Sequence, residues 1–322
     1  MKRFFSLAAA ATLLSSGQET PVISVNVRLV RVACTVIRGK GQVVTGLTQK
    51  DFQLRDRGVP QDVRYFWSEN DLPLTVGLVV DISGSQMRNL ANHRATIRQF
   101  LKQVLRPGDR AFLVTVATNV RLLRDFTDQA GLLADDVEYR LKDRGQPLGP
   151  ACLPRGLMAG GRARRTCGGS IIWSAVHAAA KKLQDVPGRK ALLVLTDGVD
   201  SGSDQRLDDA IQAAQEAETA VYSIGVKGEQ ASIGLAGPMR ISRTSLNRDD
   251  LKSLADDTGG AAFLDKRSPE KIFAQIEQEL RGLYLIGFSP QNVPCDGDFH
   301  GLEVSAGKDV RVRSRKGYYC RP

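Results

Sequence analysis

The chain has 322 residues, 42% of them apolar and 25% charged, with 31 glycines and five cysteines. That balance excludes a disordered or collagen-like chain and supplies enough residues for two ordinary domains or one large one. The formal charge of +10 favours anionic surfaces or acidic protein partners, but no dense basic helix and no aromatic interleaving point to nucleic acid.

The chain opens with Met1-Lys2-Arg3, followed by an apolar run from Phe4 to Leu14 and then Ser15-Ser16-Gly17-Gln18. This pattern predicts a secretory signal peptide over residues 1–18, cut near residues 16–20. The run is short for a membrane span, no cysteine follows it to carry a lipid, and no later stretch is apolar enough to cross a bilayer. The expectation is a secreted or periplasmic protein. Removing Lys2 and Arg3 lowers the formal charge from +10 to +8.

Residues 19–71 read as a small antiparallel β segment. Positions 24–37 alternate in polarity, with a phase shift near Leu29-Val30 that predicts a bulge. Phe52 and Leu54 mark a short strand, and Val63, Tyr65 and Trp67 share one face of another.

From residue 72 to 282 the grammar changes to strand–helix alternation. Strands are expected at 73–80, 110–117, 120–123, 190–196, 219–226 and 261–264. Helices are expected near 86–105, 127–142, 171–184, 204–217, 248–256 and 268–281, with an irregular insertion at 227–247. This order predicts an α/β fold, a doubly wound and mostly parallel sheet with helices on both faces. Such sheets bind ligands at the carboxyl ends of their strands.

Residues 283–322 return to strands, at Leu283–Phe288, Phe299–Val304 and Val310–Arg313. Neither flanking segment alone buries much core. The expectation is therefore that the two pair into one small antiparallel β-sandwich, with the α/β domain inserted between them. Separate β modules are the alternative.

Five cysteines in an exported chain predict disulfides. Cys152 and Cys167 bracket a loop, and Cys295 and Cys320 bracket the last strands. Pairing them so leaves Cys34 as a buried free thiol within its strand.

Two strand ends carry the chemistry. Thr75-Val-Gly-Leu-Val-Val-Asp81 is an apolar strand that runs into Ile82-Ser83-Gly84-Ser85. Ala191-Leu-Leu-Val-Leu-Thr196 runs into Asp197-Gly198. Hard oxygens converging at one point suit a hard divalent cation such as Mg²⁺. Asp81-Ile-Ser83-Gly-Ser85 resembles the D-x-S-x-S signature of von Willebrand factor A (VWA) domains, and residues 72–282 are similar to such a domain. Cys167-Gly168-Gly169-Ser170 resembles that family's Gly-Gly-Thr segment with serine replacing threonine, and Thr196-Asp197-Gly198 its later aspartate. The flanks, among them Gly46-Leu47-Thr-Gln-Lys-Asp51-Phe52 and Arg315-Lys-Gly317-Tyr318-Tyr319, resemble the acidobacterial VWFA-related family.

The resemblance implies a metal-ion-dependent adhesion site. Ser83, Ser85 and Ser170 would supply hydroxyl oxygens, and Asp81 and Asp197 would act directly or through water on Mg²⁺ or Mn²⁺. An open coordination position would take a carboxylate of a protein ligand. Serine at position 170 keeps the oxygen but lacks the methyl group that restrains the rotamer. The competing reading makes Asp81 a turn residue and Ser83 and Ser85 helix caps. Arg155, Arg162, Arg164 and Arg165 fall in a stretch, 145–169, that has no acidic residue; the expectation is a basic rim beside Ser170. His93, His177 and His300 show no ligand spacing, and Tyr318 and Tyr319 read as strand-face packing. No P-loop, nucleophile elbow or His-Glu-x-x-His is present. The expected function is therefore non-enzymatic adhesion-type binding, with a metal-free structural or scaffolding envelope protein as the alternative.

Overall fold

The computed structural model describes residues 29–39, 41–68, 73–86, 89–140, 170–227, 229–232, 240–243, 246–264 and 267–320. The expected signal peptide, the Cys152–Cys167 pair and the arginine-rich stretch 145–169 lie outside them.

The N-terminal strands are β1 (Val30–Arg38), β2 (Gln42–Val43), β3 (Phe52–Asp56), β4 (Val59–Gln61) and β5 (Tyr65–Ser68). The α/β unit begins with β6 (Leu74–Asp81), α1 (Leu90–Val104), β7 (Arg110–Val116), β8 (Val120–Thr127), α2 (Ala130–Asp135) and α3 (Ile172–Leu183). It continues with β9 (Arg189–Thr196), α4 (Leu207–Glu216), β10 (Ala220–Gly225), β11 (Glu229–Ser232), β12 (Arg240–Arg243), α5 (Arg248–Thr258), β13 (Ala262–Phe263) and α6 (Pro269–Arg281). The chain closes with β14 (Leu283–Phe288), β15 (Phe299–Ala306), β16 (Val310–Ser314) and β17 (Gly317–Tyr319).

The central sheet has six strands in the order β13-β10-β9-β6-β7-β8. All neighbours are parallel except β7 and β8. Every residue of β6 and of β9 is buried, as expected of central strands covered on both faces. Val76, Leu78 and Val80 pack with Ile97, Phe100 and Leu101 of α1 and Phe273 and Ile276 of α6. Val79 belongs to the opposite face, with Ile172 and Val176 of α3, Ile211 of α4 and Leu251 of α5. Gly77 of β6 is required by this packing. A Cβ there would stand 2.4 Å from Phe112 Cζ and 2.5 Å from Leu192 Cδ2.

The flanking segments pair with each other. β1 lies between β14 and β16, and β3 lies between β15 and β4. The two sheets share one apolar cluster that includes Val32, Cys34, Leu54, Tyr284, Phe288, Leu302 and Tyr318. Cys295 and Cys320 form a disulfide with a Cα–Cα distance of 5.0 Å, and Cys34 is a buried free thiol; burial pushes that thiol far above its usual range. No described helix is long and apolar enough to cross a membrane.

Two expectations need correcting. The helix anticipated over 127–142 is regular only over Ala130–Asp135 and then widens into a π-type turn, Asp136–Arg140. The irregular insertion contains a β-hairpin, β11 paired antiparallel with β12. The register of β1 on β14 is unbroken from Val30↔Phe288 to Thr35↔Leu283; the chain before Leu29, on which the expected bulge depends, lies outside the described residues.

Candidate metal centre

The strand order reverses at β6. From β6 the chain proceeds outward to β7 and β8, then returns to the other side of β6 to lay down β9 and β10. A crevice opens at the carboxyl ends of the strands where such a reversal occurs. Asp81 is the last residue of β6, and Asp197 follows β9 directly. Adjacent parallel strands in this register, with Val80 opposite Leu195, place the two aspartates side by side although 116 positions separate their numbers.

The turn after β6 folds back into this crevice. Ser83 N donates to Asp81 Oδ1 at 2.9 Å. The hydroxyls of Ser83 and Ser85 stand 3.2 Å apart, and Ser85 Oγ donates to Asp197 Oδ2 at 2.9 Å. Four of the five expected ligands therefore form one connected group. Neither serine caps the following helix: the N-cap of α1 is Asn89.

Ser170 reaches the same end of the sheet by another route. It forms a parallel bridge with Asp200, its carbonyl accepts from Ser201 N at 2.8 Å, and Ile171 N donates to the Ala117 carbonyl at 3.0 Å. Ala117 directly follows β7. The Ser170 hydroxyl is buried and has no hydrogen-bond partner among the described residues. A buried hydroxyl without a partner costs about 1–3 kcal/mol.

The chain shapes the loop after β9 closely. Gly198 has φ +76°, and a Cβ on it would stand 2.8 Å from Leu251 Cγ and 3.1 Å from the Asn247 carbonyl. Glycine thus allows the start of α5 to press against the loop, where Asn247 N donates to the Asp197 carbonyl at 2.9 Å. Val199 N donates to Asp197 Oδ1 at 3.1 Å.

Several participants are not apparent from the sequence motif. Thr196 Oγ1 donates to Asp81 Oδ2 at 2.7 Å and accepts from Gly198 N at 3.0 Å. Gln86 Nε2 donates to Asp197 Oδ2 at 3.0 Å and to the Val226 carbonyl at 3.1 Å. Gln86 Oε1 meets Asn89 Nδ2 at 3.2 Å and His93 Nε2 at 3.1 Å. For Gln86, Asn89 and His93 the signal in the sequence is their i, i+3, i+7 spacing, which would set them along one side of a helix. His177, by contrast, is a partly exposed residue of α3.

Burial dominates the electrostatics of Asp81. Burial pushes the Asp81 carboxyl up to about 6 despite the bonds from Ser83 and Thr196, and the charge of Asp197 adds to the rise. Burial holds His93 down to about 4, against the pull of Asp197, so it is neutral at pH 7. No ion pair reaches Asp81 among the described residues. Nor do these residues contain a group of three or more His, Cys, Asp or Glu placed to hold a metal. Any cation here would rest on two carboxylates and several hydroxyls, a hard donor set suited to Mg²⁺ or Mn²⁺.

At the level of sequence, neither a protein-family model nor a curated protein matches the chain. Several solved structures resemble it distantly. An aerotolerance-related membrane protein from Bacteroides fragilis is 18% identical, covering 64% of this chain and 98% of its own, with a TM-score of 0.45. The vWF domain of the type V pili tip protein Mfa5 from Porphyromonas gingivalis is 14% identical over 64% of this chain and 94% of that domain, with a TM-score of 0.43. Proximal thread matrix protein 1 from the mussel byssus, with a zinc-occupied MIDAS motif, is 13% identical over 71% of this chain and 50% of its own, with a TM-score of 0.45. In its strand order and in the meeting of both strand-end aspartates with the Ser83–Ser85 turn, the α/β unit has a VWA-like fold.

Proposed function

We propose that the protein is an exported, non-enzymatic binding protein that holds Mg²⁺ or Mn²⁺ and uses it to grip a carboxylate on a protein ligand. Ser83, Ser85 and Ser170 would hold the cation with their hydroxyls, and Asp81 and Asp197 with their carboxylates, directly or through water. The observation that carries this reading is the buried, unpartnered Ser170 hydroxyl at the sheet end where the other four residues meet. When bound, the cation supplies positive charge that offsets two buried carboxylates and offers an open position to an incoming anionic oxygen.

The chain's own residues prepare for this in three ways. Thr196 and the Ser83 amide orient Asp81. Val199 N, Ser85 and Gln86 orient Asp197. Gly198 lets α5 close the crevice on one side. The Cys295–Cys320 disulfide supports an oxidising compartment, secreted or periplasmic. The ligand is a protein carrying an exposed Asp or Glu, and an anionic envelope or matrix surface is a second class of contact for a basic chain. We read the two flanking sheets as the halves of one small sandwich that carries the VWA-like domain.

A specific observation favours the rival, a scaffold that uses no metal: the carboxylate and hydroxyl groups already satisfy one another through Ser83, Ser85 and Asp197. Calorimetric titration of the protein with MgCl₂ and MnCl₂ separates the two. Heat in the parent and none in Asp81→Ala is the expected result. A parent that gives no heat with either salt leaves the scaffold.

A further inference from the structure

We propose that Gln86 and His93 are positioning residues for Asp197, forming a buried relay that fixes the orientation of this carboxylate from the opposite side of the crevice. The inference rests on the reading of the site as a divalent-cation centre.

The chemistry of the partners determines which way each group faces. The Asp197 carboxylate and the Val226 carbonyl are acceptors only, and both lie within bonding distance of one end of the Gln86 carboxamide, at 3.0 and 3.1 Å. That end must be the nitrogen. The Gln86 oxygen then faces Asn89 Nδ2 at 3.2 Å and His93 Nε2 at 3.1 Å. An amide oxygen only accepts, so His93 must carry its proton on Nε2. With two bonds donated and two accepted, the Gln86 side chain has spent its whole capacity and has one orientation.

Gln86 is fully buried and His93 is 1% exposed, so water does not compete for these bonds. Asp197 Oδ2 receives both Ser85 Oγ and Gln86 Nε2, while Oδ1 receives Val199 N. The carboxylate is thereby held in one plane before any cation arrives. The relay starts on α1, which packs against the sheet with α6, and ends on the loop after β9. A helix on one side of the strand reversal thus orients a ligand on the other. Partners that orient metal ligands in this way are worth about 10–100-fold in affinity.

The test measures Mg²⁺ and Mn²⁺ affinity by calorimetry for the parent, Gln86→Leu, His93→Phe and His93→Gln, with far-ultraviolet circular dichroism to confirm folding. Gln86→Leu is expected to weaken binding by at least about tenfold, and His93→Phe by several-fold. His93→Gln returns a donor near the position of Nε2 and is expected to restore affinity to within about twofold of the parent, on the same positioning argument. A filling role predicts no such rescue, because it needs volume and not a donor. Independently, the nitrogen shifts of His93 are expected to show the Nε2–H tautomer in the full-length protein. Parent-like affinity in Gln86→Leu and His93→Phe overturns the proposal, as does a proton on Nδ1. A parent that binds neither cation overturns the reading of the site as well, which distinguishes that failure from failure of the relay alone.

Discussion

Asp81 and Asp56 are both sealed from solvent, yet they are satisfied in opposite ways. Asp56 ends β3 and sits among partners the chain itself provides. His300 Nδ1 lies 3.0 Å from Oδ1, and Tyr318 donates to Oδ2 at 2.7 Å. Burial and the bond to Asp56 push the Tyr318 hydroxyl far above its usual range, so it stays a donor at any working pH. Asp81 receives the Ser83 amide and hydroxyl and the Thr196 hydroxyl, and among the described residues the charge that acts on it is another carboxylate, Asp197. A buried charge is tolerated when it is paired and is costly when it is not. Asp56 thus has an imidazole and a phenol of the chain itself beside it, whereas Asp81 has no cationic partner among the described residues.

The sharpest way to break this comparison is to remove Asp56. Asp56→Ala strands a buried histidine and a buried tyrosine hydroxyl, and is expected to cost about 3–5 kcal/mol in urea unfolding. Mg²⁺ affinity of the folded fraction should be unchanged. A cost below about 1 kcal/mol would show that the cluster is not the self-sufficient unit described.

Asp81 predicts the reverse. Its pKa is raised in the folded state to about 6 from a usual 3.8, so its contribution is intact below pH 3.8 and is lost as pH rises through 6. In chelator at pH 7.5, Asp81→Asn should be more stable than the parent by up to about 3 kcal/mol. That advantage should vanish near pH 3.5 and be cancelled in the parent by added Mg²⁺. His93 acts with opposite sign: held down to about 4, it contributes stability above pH 6.5 that is lost as pH falls through 4. The parent curve sums both groups, so the variant-minus-parent difference is the quantity to measure.

The smallest effect belongs to Ser170. Ser170→Ala deletes a buried hydroxyl with no partner and should be neutral or stabilising by about 1 kcal/mol in chelator. The same change should shrink the rise in melting temperature that Mg²⁺ produces. If chelated Ser170→Ala is clearly destabilised, the hydroxyl has a structural partner and the argument from it fails.

Much of the α/β unit was legible in the chain. Continuous apolar runs such as Leu74–Val80 and Ala191–Leu195 report strands buried on both faces, and the acidic or hydroxyl residue that ends each run reports a strand end. The spacing of Ile97, Phe100, Leu101 and Val104 fixes the buried side of α1. The motif residues Asp81, Ser83 and Ser85 were legible because the turn that unites them is local. Two features were not. The break after Asp135 arises where Asp136 is buried and paired with Arg124 of β8, a contact that no local propensity encodes. Asp56, His300 and Tyr318 converge from three strands, and the sequence alone reads His300 as isolated and Tyr318 as mere packing.

The sequence by itself determined which segments bury both faces and where strands give way to oxygen-bearing turns. Those properties depend on periodicity and short spacing. Tertiary structure alone decided that β9 lies against β6, that Ser170 arrives beside that reversal with its hydroxyl unmatched, and that Gln86 and His93 stand behind Asp197. Strand order arises from how whole faces of the sheet are covered by helices, and that is a property of the assembled core.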